Sequence, residues 1–268
     1  MNPRMLFGRH LGLKGALVKL IESKDFKALK ETEDGRKAFE IYEIVEALKD
    51  ECRKNGVIKP RAVFQFFEAA SEGNTLHLYP VEEASHMHLA PADPVAKPAP
   101  LVSFEFPRQA KVNGLCLSDY VNPLGSPKPD NMALFVVTAG QGVRAWAEKL
   151  KNEGQYLKSH ALQALALETA EAFAEYLHSQ LRNMWGFEDA PNMTMMDRFQ
   201  AKYRGKRFSP GYPACPVLDD QAQIFKVLKP QDIGVELTDG FMMDPEASVS
   251  AVVFHHPAAI YFGIGEGT

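Results

Sequence analysis

The chain has 268 residues, 46% of them hydrophobic and 24% charged, a balance that supports an apolar core without disulfides or metals and excludes intrinsic disorder. Thirty Lys and Arg stand against 34 Asp and Glu, and a net charge of -4 gives no broad electrostatic basis for holding nucleic acid or an anionic membrane. Cys52, Cys116 and Cys215 are odd in number and far apart, which fits neither a disulfide framework nor a zinc ribbon and points to a reducing cytoplasm.

Residues 1–268 read as a single domain. The first twenty residues are basic, but Gly8, Gly12 and Gly15 interrupt them and leave no apolar core of a secretion signal. The best apolar run, Met132 to Ala139, has strand length and falls far short of the ~20 residues of a membrane span.

Helical spacing covers Leu17 to Leu29 and Ala38 to Cys52, the second ending at Lys54-Asn55-Gly56. Ala62 to Phe67 and Thr75 to Tyr79 are strand-like and flank Ser71-Glu72-Gly73-Asn74, which predicts a hairpin. Prolines at 91, 94, 98 and 100 forbid regular structure from Glu83 to Pro100, an expected exposed connection. Strands are expected at Val102 to Phe106, Gly114 to Leu117 and Met132 to Thr138. Gln155 to Met184 is the longest periodic segment, with a broad apolar face that predicts a largely buried central helix. A short helix is expected near Met195 to Tyr203, then a loop from Gly205 to Leu218. Asp219-Asp220 is placed to cap a helix over Gln221 to Leu228. The tail supplies strands at Val235 to Thr238, Ser248 to Phe254 and Ile260 to Ile264. Helices and hairpins alternate without a βαβ rhythm, so the fold class is α+β with a mainly antiparallel twisted sheet and flanking helices.

The loop carries the most specific signal. Tyr203-Arg204-Gly205-Lys206-Arg207-Phe208-Ser209-Pro210-Gly211-Tyr212-Pro213-Ala214-Cys215-Pro216 sets three prolines around Gly211 and Tyr212, with a cluster of cations just before. A stiff loop presents backbone groups to a flat ligand at small entropic cost, and a rigid surface turn with solvated cations is the competing explanation. The string Pro210-Gly211-Tyr212-Pro213-Ala214-Cys215-Pro216 resembles the signature loop of the activation domain of cobalamin-dependent methionine synthase. Leu134 to Gly140, Ala170 to His178, Ala247-Ser248-Val249-Ser250, Phe254-His255-His256-Pro257 and Tyr261-Phe262 agree in the same order, and Met5-Leu6-Phe7-Gly8 agrees more loosely.

That resemblance implies binding of S-adenosylmethionine in a shallow, open groove. It implies Arg207 on the ligand's carboxylate, where a planar guanidinium can pair bidentately. Gly211, Tyr212 and Ala214 would line the adenosine, Tyr261 and Phe262 the sulfonium, and Glu171 would face the ligand from the central helix. Arg204 and Lys206 then read as solvated cations. The pattern departs at Asn2, where some members have an aspartate, at Leu167 and Glu168, where some have an aspartate and an arginine, and at Phe262, where some have a tyrosine.

The implied function is reductive reactivation of cobalamin: the ligand's methyl goes to a cobalamin carried by a partner domain or corrinoid protein, with a flavodoxin-like reductant. The cobalt is the nucleophile, so this chain needs no acid, base or serine of its own. It lacks an Asp-x-His-x-x-Gly cobalamin motif and the length for homocysteine and folate barrels, so it does not make methionine alone. Alternatives are a corrinoid-docking or S-adenosylmethionine-sensing module without methyl transfer, and a thiol hydrolase built on Cys215. His255-His256 and His86-Met87-His88 suggest metal, but adjacent histidines on a strand point to opposite faces and no further ligand stands at suitable spacing.

Overall fold

The computed structural model describes residues 1–81, 99–128 and 130–265. The expected connection over 83–100, apart from its last two residues, and the His86-Met87-His88 cluster lie outside the described residues.

Six strands form one antiparallel sheet: β1 (Arg61–Glu72), β2 (Thr75–Tyr79), β3 (Val102–Glu105), β4 (Asp130–Thr138), β5 (Lys206–Phe208) and β8 (Ser248–Phe254), in the order β3-β2-β1-β4-β8-β5. β6 (Glu236–Leu237) and β7 (Met243–Asp244) make a separate two-stranded ribbon. The helices are α1 (Gly15–Glu22), α2 (Phe26–Leu29), α3 (Glu33–Asn55), α4 (Val143–Asn152), α5 (Tyr156–Met184), α6 (Met195–Phe199) and α7 (Asp220–Leu228). The expected α+β class with an antiparallel sheet is the one found.

β4 is buried on both faces from Met132 onward, which is why its sequence is a continuous apolar run instead of an alternation. Met132, Leu134 and Val136 pack with Val252, Phe254 and α7's Ile224, Phe225 and Leu228. Ala133, Phe135 and Val137 pack with Ala251, Val253 and α5's Ala174, Leu177 and Leu181. A third cluster joins α1, α3 and α4 to Ala161, Leu162 and Leu165 on the first half of α5. α5 is thus the beam that ties the helical layer to the sheet. A large apolar side chain on it contributes roughly 1.5–3 kcal/mol by burial.

Several expected elements differ. The helix read over Leu17 to Leu29 breaks at Lys24, whose φ is 57°, and restarts where the Asp25 carboxylate accepts the Ala28 N–H at 3.1 Å. Gly114 to Leu117 is not a strand, because side chains satisfy its backbone: Arg108 donates to the Gly114 carbonyl, and the Leu115 and Cys116 N–H groups go to Gln109 and Asp119. Ile260 to Ile264 is not a strand for the same reason. Its Ile260 N–H meets the Tyr120 hydroxyl and its Gly263 carbonyl the Gln109 amide.

α4, β5 and β7 are among the elements that arise where none was expected. α4 follows Gly142 with Val143, Trp146, Ala147 and Leu150 at helical spacing. β5 lies inside the span read wholly as loop, since three residues are too few to show a period. Gly205 lets β5 approach β8: it has φ 75°, and a Cβ there would lie 2.5 Å from the Phe254 carbonyl oxygen. Asp219 stands at the expected cap of α7, but its side chain makes no capping bond.

Candidate functional site

A groove of about 1300 Å³ opens between the middle of α5, the first ten residues, β5 with the turn that follows it, and the tail from Tyr261. Arg207, Tyr212, Ala214, Tyr261, Phe262 and Glu171 all line it, although they come from three separated segments. Asn2 and Glu168, where the family pattern is broken, line it too. Gly211 is not part of the lining.

Gly211 makes the turn instead. Its φ is 88°, its N–H donates to the Cys215 carbonyl at 2.8 Å, and the Cys215 N–H donates to the Tyr212 carbonyl at 2.9 Å. A Cβ at 211 would stand 3.2 Å from Leu218 Cδ1, so both backbone and space select glycine. This closed turn buries Ala214 and Cys215 and leaves Tyr212 63% exposed on the rim. Burial, and the nearby Asp220 carboxylate, push the Cys215 thiol up to about 12. A buried thiol held protonated is no nucleophile, which removes the hydrolase alternative.

The opposite side is α5, where Glu168, Glu171, Glu175, His178 and Arg182 are spaced three or four residues apart on one face; the three glutamates line the groove, and His178 and Arg182 are buried outside its lining. Glu171 is exposed in the groove. Glu168 is 3% exposed and its carboxylate meets His10 Nε2 at 3.2 Å. Burial raises its pKa, against the lowering effect of His10.

Glu175 is where the wall meets β5. Its Oε2 accepts Arg207 Nη1 at 2.5 Å and the Tyr203 hydroxyl at 3.0 Å. Burial alone would lower the Arg207 pKa, but the Glu175 carboxylate more than offsets that and the guanidinium is held firmly charged. Burial is also the largest cause of the raised Tyr203 phenol pKa. The Arg182 guanidinium, 1% exposed and bidentate to Asp189 at 2.6 and 2.8 Å, lies 3.8 Å over the Tyr203 ring. His178 is fully buried with its ring edge-on to Tyr203, and burial, then Arg207, Arg182 and Lys206, keep it neutral well below its ordinary pKa.

Lys206 corrects an expectation. It is not solvated: it is 9% exposed and its Nζ donates to the Tyr203 and Gly205 carbonyls at 2.8 and 3.0 Å. Arg204 donates to the His255 carbonyl and covers the Phe187 ring, outside the groove.

The third side is aromatic. The Tyr261 ring sits 5.3 Å from that of Phe208 at 65°, and Phe262 sits 6.2 Å from it. Phe208 leans on Tyr120 and Phe254 behind. Tyr261 keeps 52% of its surface exposed, so its ring is anchored against Phe208 while about half of the residue stays open.

Of the adjacent histidines, His255 Nε2 meets Asp130 Oδ1 at 2.7 Å, while His256 accepts the Ala258 N–H. Among the described residues no group of three His, Cys, Asp or Glu is arranged to hold a metal. Glu175 and Tyr203 are the site residues that the sequence reading missed. Glu175 had a signal, standing one turn beyond Glu171 inside a matching string; Tyr203 had none beyond nearness to the loop.

A sequence model of the family described as vitamin B12 dependent methionine synthase, activation domain, matches residues 15–268. The methionine synthase of Mycobacterium tuberculosis (strain ATCC 25618 / H37Rv) is 30% identical over 275 residues, covering 98% of this chain and 21% of that protein. The methionine synthase of Mycobacterium leprae (strain TN) is 29% identical over 275 residues with the same coverage. The chain thus spans about a fifth of the length of these relatives. A crystal structure of the MetH reactivation domain bound to AdoHcy superposes with a TM-score of 0.81 at 28% identity, over 98% of this chain and 76% of that one.

Proposed function

The chain belongs to the activation-domain family of vitamin B12-dependent methionine synthase, and from that premise we propose that its groove holds S-adenosylmethionine with the sulfonium methyl turned outward to a cobalamin on another domain or chain. The observation that carries this reading is Arg207: a charged guanidinium, 16% exposed at its side chain, held on one side by Glu175 and lining the groove on the other. Such a group favours a carboxylate, and the ligand's amino-acid end supplies one. The Pro210 to Pro216 turn suits the adenosine because a fixed backbone offers N–H and C=O groups without ordering cost. The exposed Tyr261 ring suits a sulfonium, since an aromatic face attracts a cation.

Bound S-adenosylmethionine supplies an electrophilic methyl group. The chain's own work is to bind, orient and leave access: Arg207 fixes one end, the turn fixes the other, and the groove stays open to a corrin ring. In this role the domain serves a methyltransferase without completing the reaction alone, and a flavodoxin-like protein is the proposed electron donor. No residue has to move a proton.

Calorimetry with S-adenosylmethionine tests the binding, and absence of heat with a folded chain would end the proposal. The isolated chain with S-adenosylmethionine and homocysteine should show no turnover; adding a cobalamin domain and a flavodoxin-like reductant should yield methylcobalamin. Methyl transfer by this chain with no corrinoid present would overturn the mechanism.

A further inference from the structure

The charged groups behind Arg207 are numerous, and they are organised around one atom. Glu175 Oε2 accepts both Arg207 Nη1 and the Tyr203 hydroxyl. Its other oxygen, Oε1, is buried without a hydrogen-bond partner and lies 4.0 Å from Arg182 Nη2. Arg182 Nη1 and both ring nitrogens of His178 are buried and unpartnered in the same place. These buried polar atoms all lie between Glu175 and Arg182 on α5, next to the Arg207 and Tyr203 side chains.

The geometry points to Glu175 as a positioning residue that sets the direction of the Arg207 guanidinium, with Tyr203 fixing Glu175 in turn; this rests on the proposed function of the groove. An arginine side chain has four rotatable bonds and gives up their rotamer freedom when it is ordered. Glu175 imposes that order before any ligand arrives, because its carboxylate holds Nη1 and leaves the remaining N–H donors of a groove-lining guanidinium free of side-chain partners. The Tyr203 hydroxyl donates to the same oxygen, and the Tyr203 ring is itself clamped between Arg182 on its face and His178 at its edge. The clamp reaches back to Asp189 through the two hydrogen bonds of Arg182. Direction thus passes from buried groups to Arg207, a cation that lines the groove between α5 and the turn.

Charge gives a contrary possibility with opposite sign. Glu175 neutralises part of Arg207's charge, so if attraction alone decided affinity, removing Glu175 would tighten binding. Positioning predicts the reverse.

The experiment is calorimetry with S-adenosylhomocysteine on the full chain and its variants, in the parental and Arg207→Ala backgrounds. Glu175→Ala should weaken binding by about ten- to thirtyfold, the equivalent of the rotamer order it releases. Glu175→Gln keeps an acceptor at the same reach and should stay within about threefold, rescuing the pose. In the Arg207→Ala background, Glu175→Ala should cost nothing further, because there is no guanidinium left to aim. Should Glu175→Ala fail to fold, Glu175→Asp, which keeps the charge but shortens the reach, should show the same background-dependent loss. An equal loss in both backgrounds would mean a merely structural role, and tighter binding by either Glu175→Ala or Glu175→Gln would mean that the carboxylate competes; either result overturns the proposal. A parent that binds no ligand would instead remove the function of the groove itself, a failure separate from that of Glu175.

Discussion

The groove has two kinds of wall, and they are built by different physics. The α5 wall is charged, its side chains held by one another across long sequence separations, as in Arg207 with Glu175 and His10 with Glu168. Among the described residues, the wall formed by the Pro210 to Pro216 turn and the aromatic tail carries no Asp, Glu, Lys or Arg in the groove lining, and it is held by backbone hydrogen bonds and ring packing. A charged wall can bind strongly and respond to pH, but it depends on partners. On the uncharged wall the turn supplies shape, and its failure should appear as lost stability before lost recognition, while the exposed Tyr261 ring supplies contact surface.

The sharpest test of that contrast is Arg207→Ala. A charged hydrogen bond is worth ~1.5–3 kcal/mol, so S-adenosylmethionine binding should weaken by about tenfold to over a hundredfold. The same change strands Glu175 in a partly buried place, and breaking such a pair costs on the order of 3 kcal/mol of stability. Thermal unfolding should therefore move with affinity. Arg207→Lys should recover the charge and only part of the binding, since an ammonium lacks the fork. Arg204→Ala is the control, and it should bind as the parent does. Normal binding by Arg207→Ala would place the ligand's carboxylate elsewhere.

The charged wall should also carry the acid sensitivity. His178 faces Arg207, Arg182, Lys206 and the Tyr203 ring and is neutral in the folded chain, while in the unfolded chain it takes up a proton below about 6.5. Stability present at neutral pH is thus lost as pH falls below about 6.5, where the unfolded chain takes up the proton and the folded chain does not. Denaturant melts above and below that pH should show the loss in the parent and less of it in His178→Phe. An identical pH dependence in the two would show that the ring titrates normally.

Gly211→Ala should act in the opposite way on the uncharged wall. A Cβ at φ 88° costs roughly 1–2 kcal/mol of backbone strain, and Leu218 must shift to admit it. A lower melting temperature with nearly parental affinity at a permissive temperature is expected. Loss of binding with unchanged stability would give Gly211 a direct contact that its place outside the groove lining does not suggest.

The same division decides what was legible in the sequence. The turn could be read because its information is local: three prolines, Gly211 and Tyr212 make one string that specifies one backbone. β4 could be read because burial on both faces leaves a continuous apolar run. Gly114 to Leu117 and Ile260 to Ile264 have strand-like composition, yet their backbone groups are taken by Arg108, Gln109, Asp119 and Tyr120 from other segments, which no local pattern announces. Lys206 looked like a solvated cation for the same reason, since the carbonyls that hold it belong to a chain reversal set by Gly205. The pairing of Glu175 with Arg207 spans 32 positions. Helical period put Glu175 on the right face, and only the fold supplied its partner.

The smallest expected effect is the most specific to the uncharged wall. Tyr261 meets the Phe208 ring at 65° and leaves half its surface open, and its neighbour Phe262 already lacks a hydroxyl. If the tail contributes by ring surface, Tyr261→Phe should change S-adenosylmethionine affinity by less than about threefold, because the face that meets a sulfonium is unchanged. Tyr261→Ala removes that face and should cost about tenfold, in line with a desolvated contact between a cation and a ring. The pair of variants separates ring from hydroxyl because both keep the backbone, and the Phe208 ring behind stays supported by Tyr120 and Phe254. Equal, large losses in both would mean that the Tyr261 oxygen holds the ligand by a hydrogen bond. The tail would then belong with the charged wall's polar recognition, and the division of the groove into a wall of charge and a wall of shape and ring surface would fail at that residue.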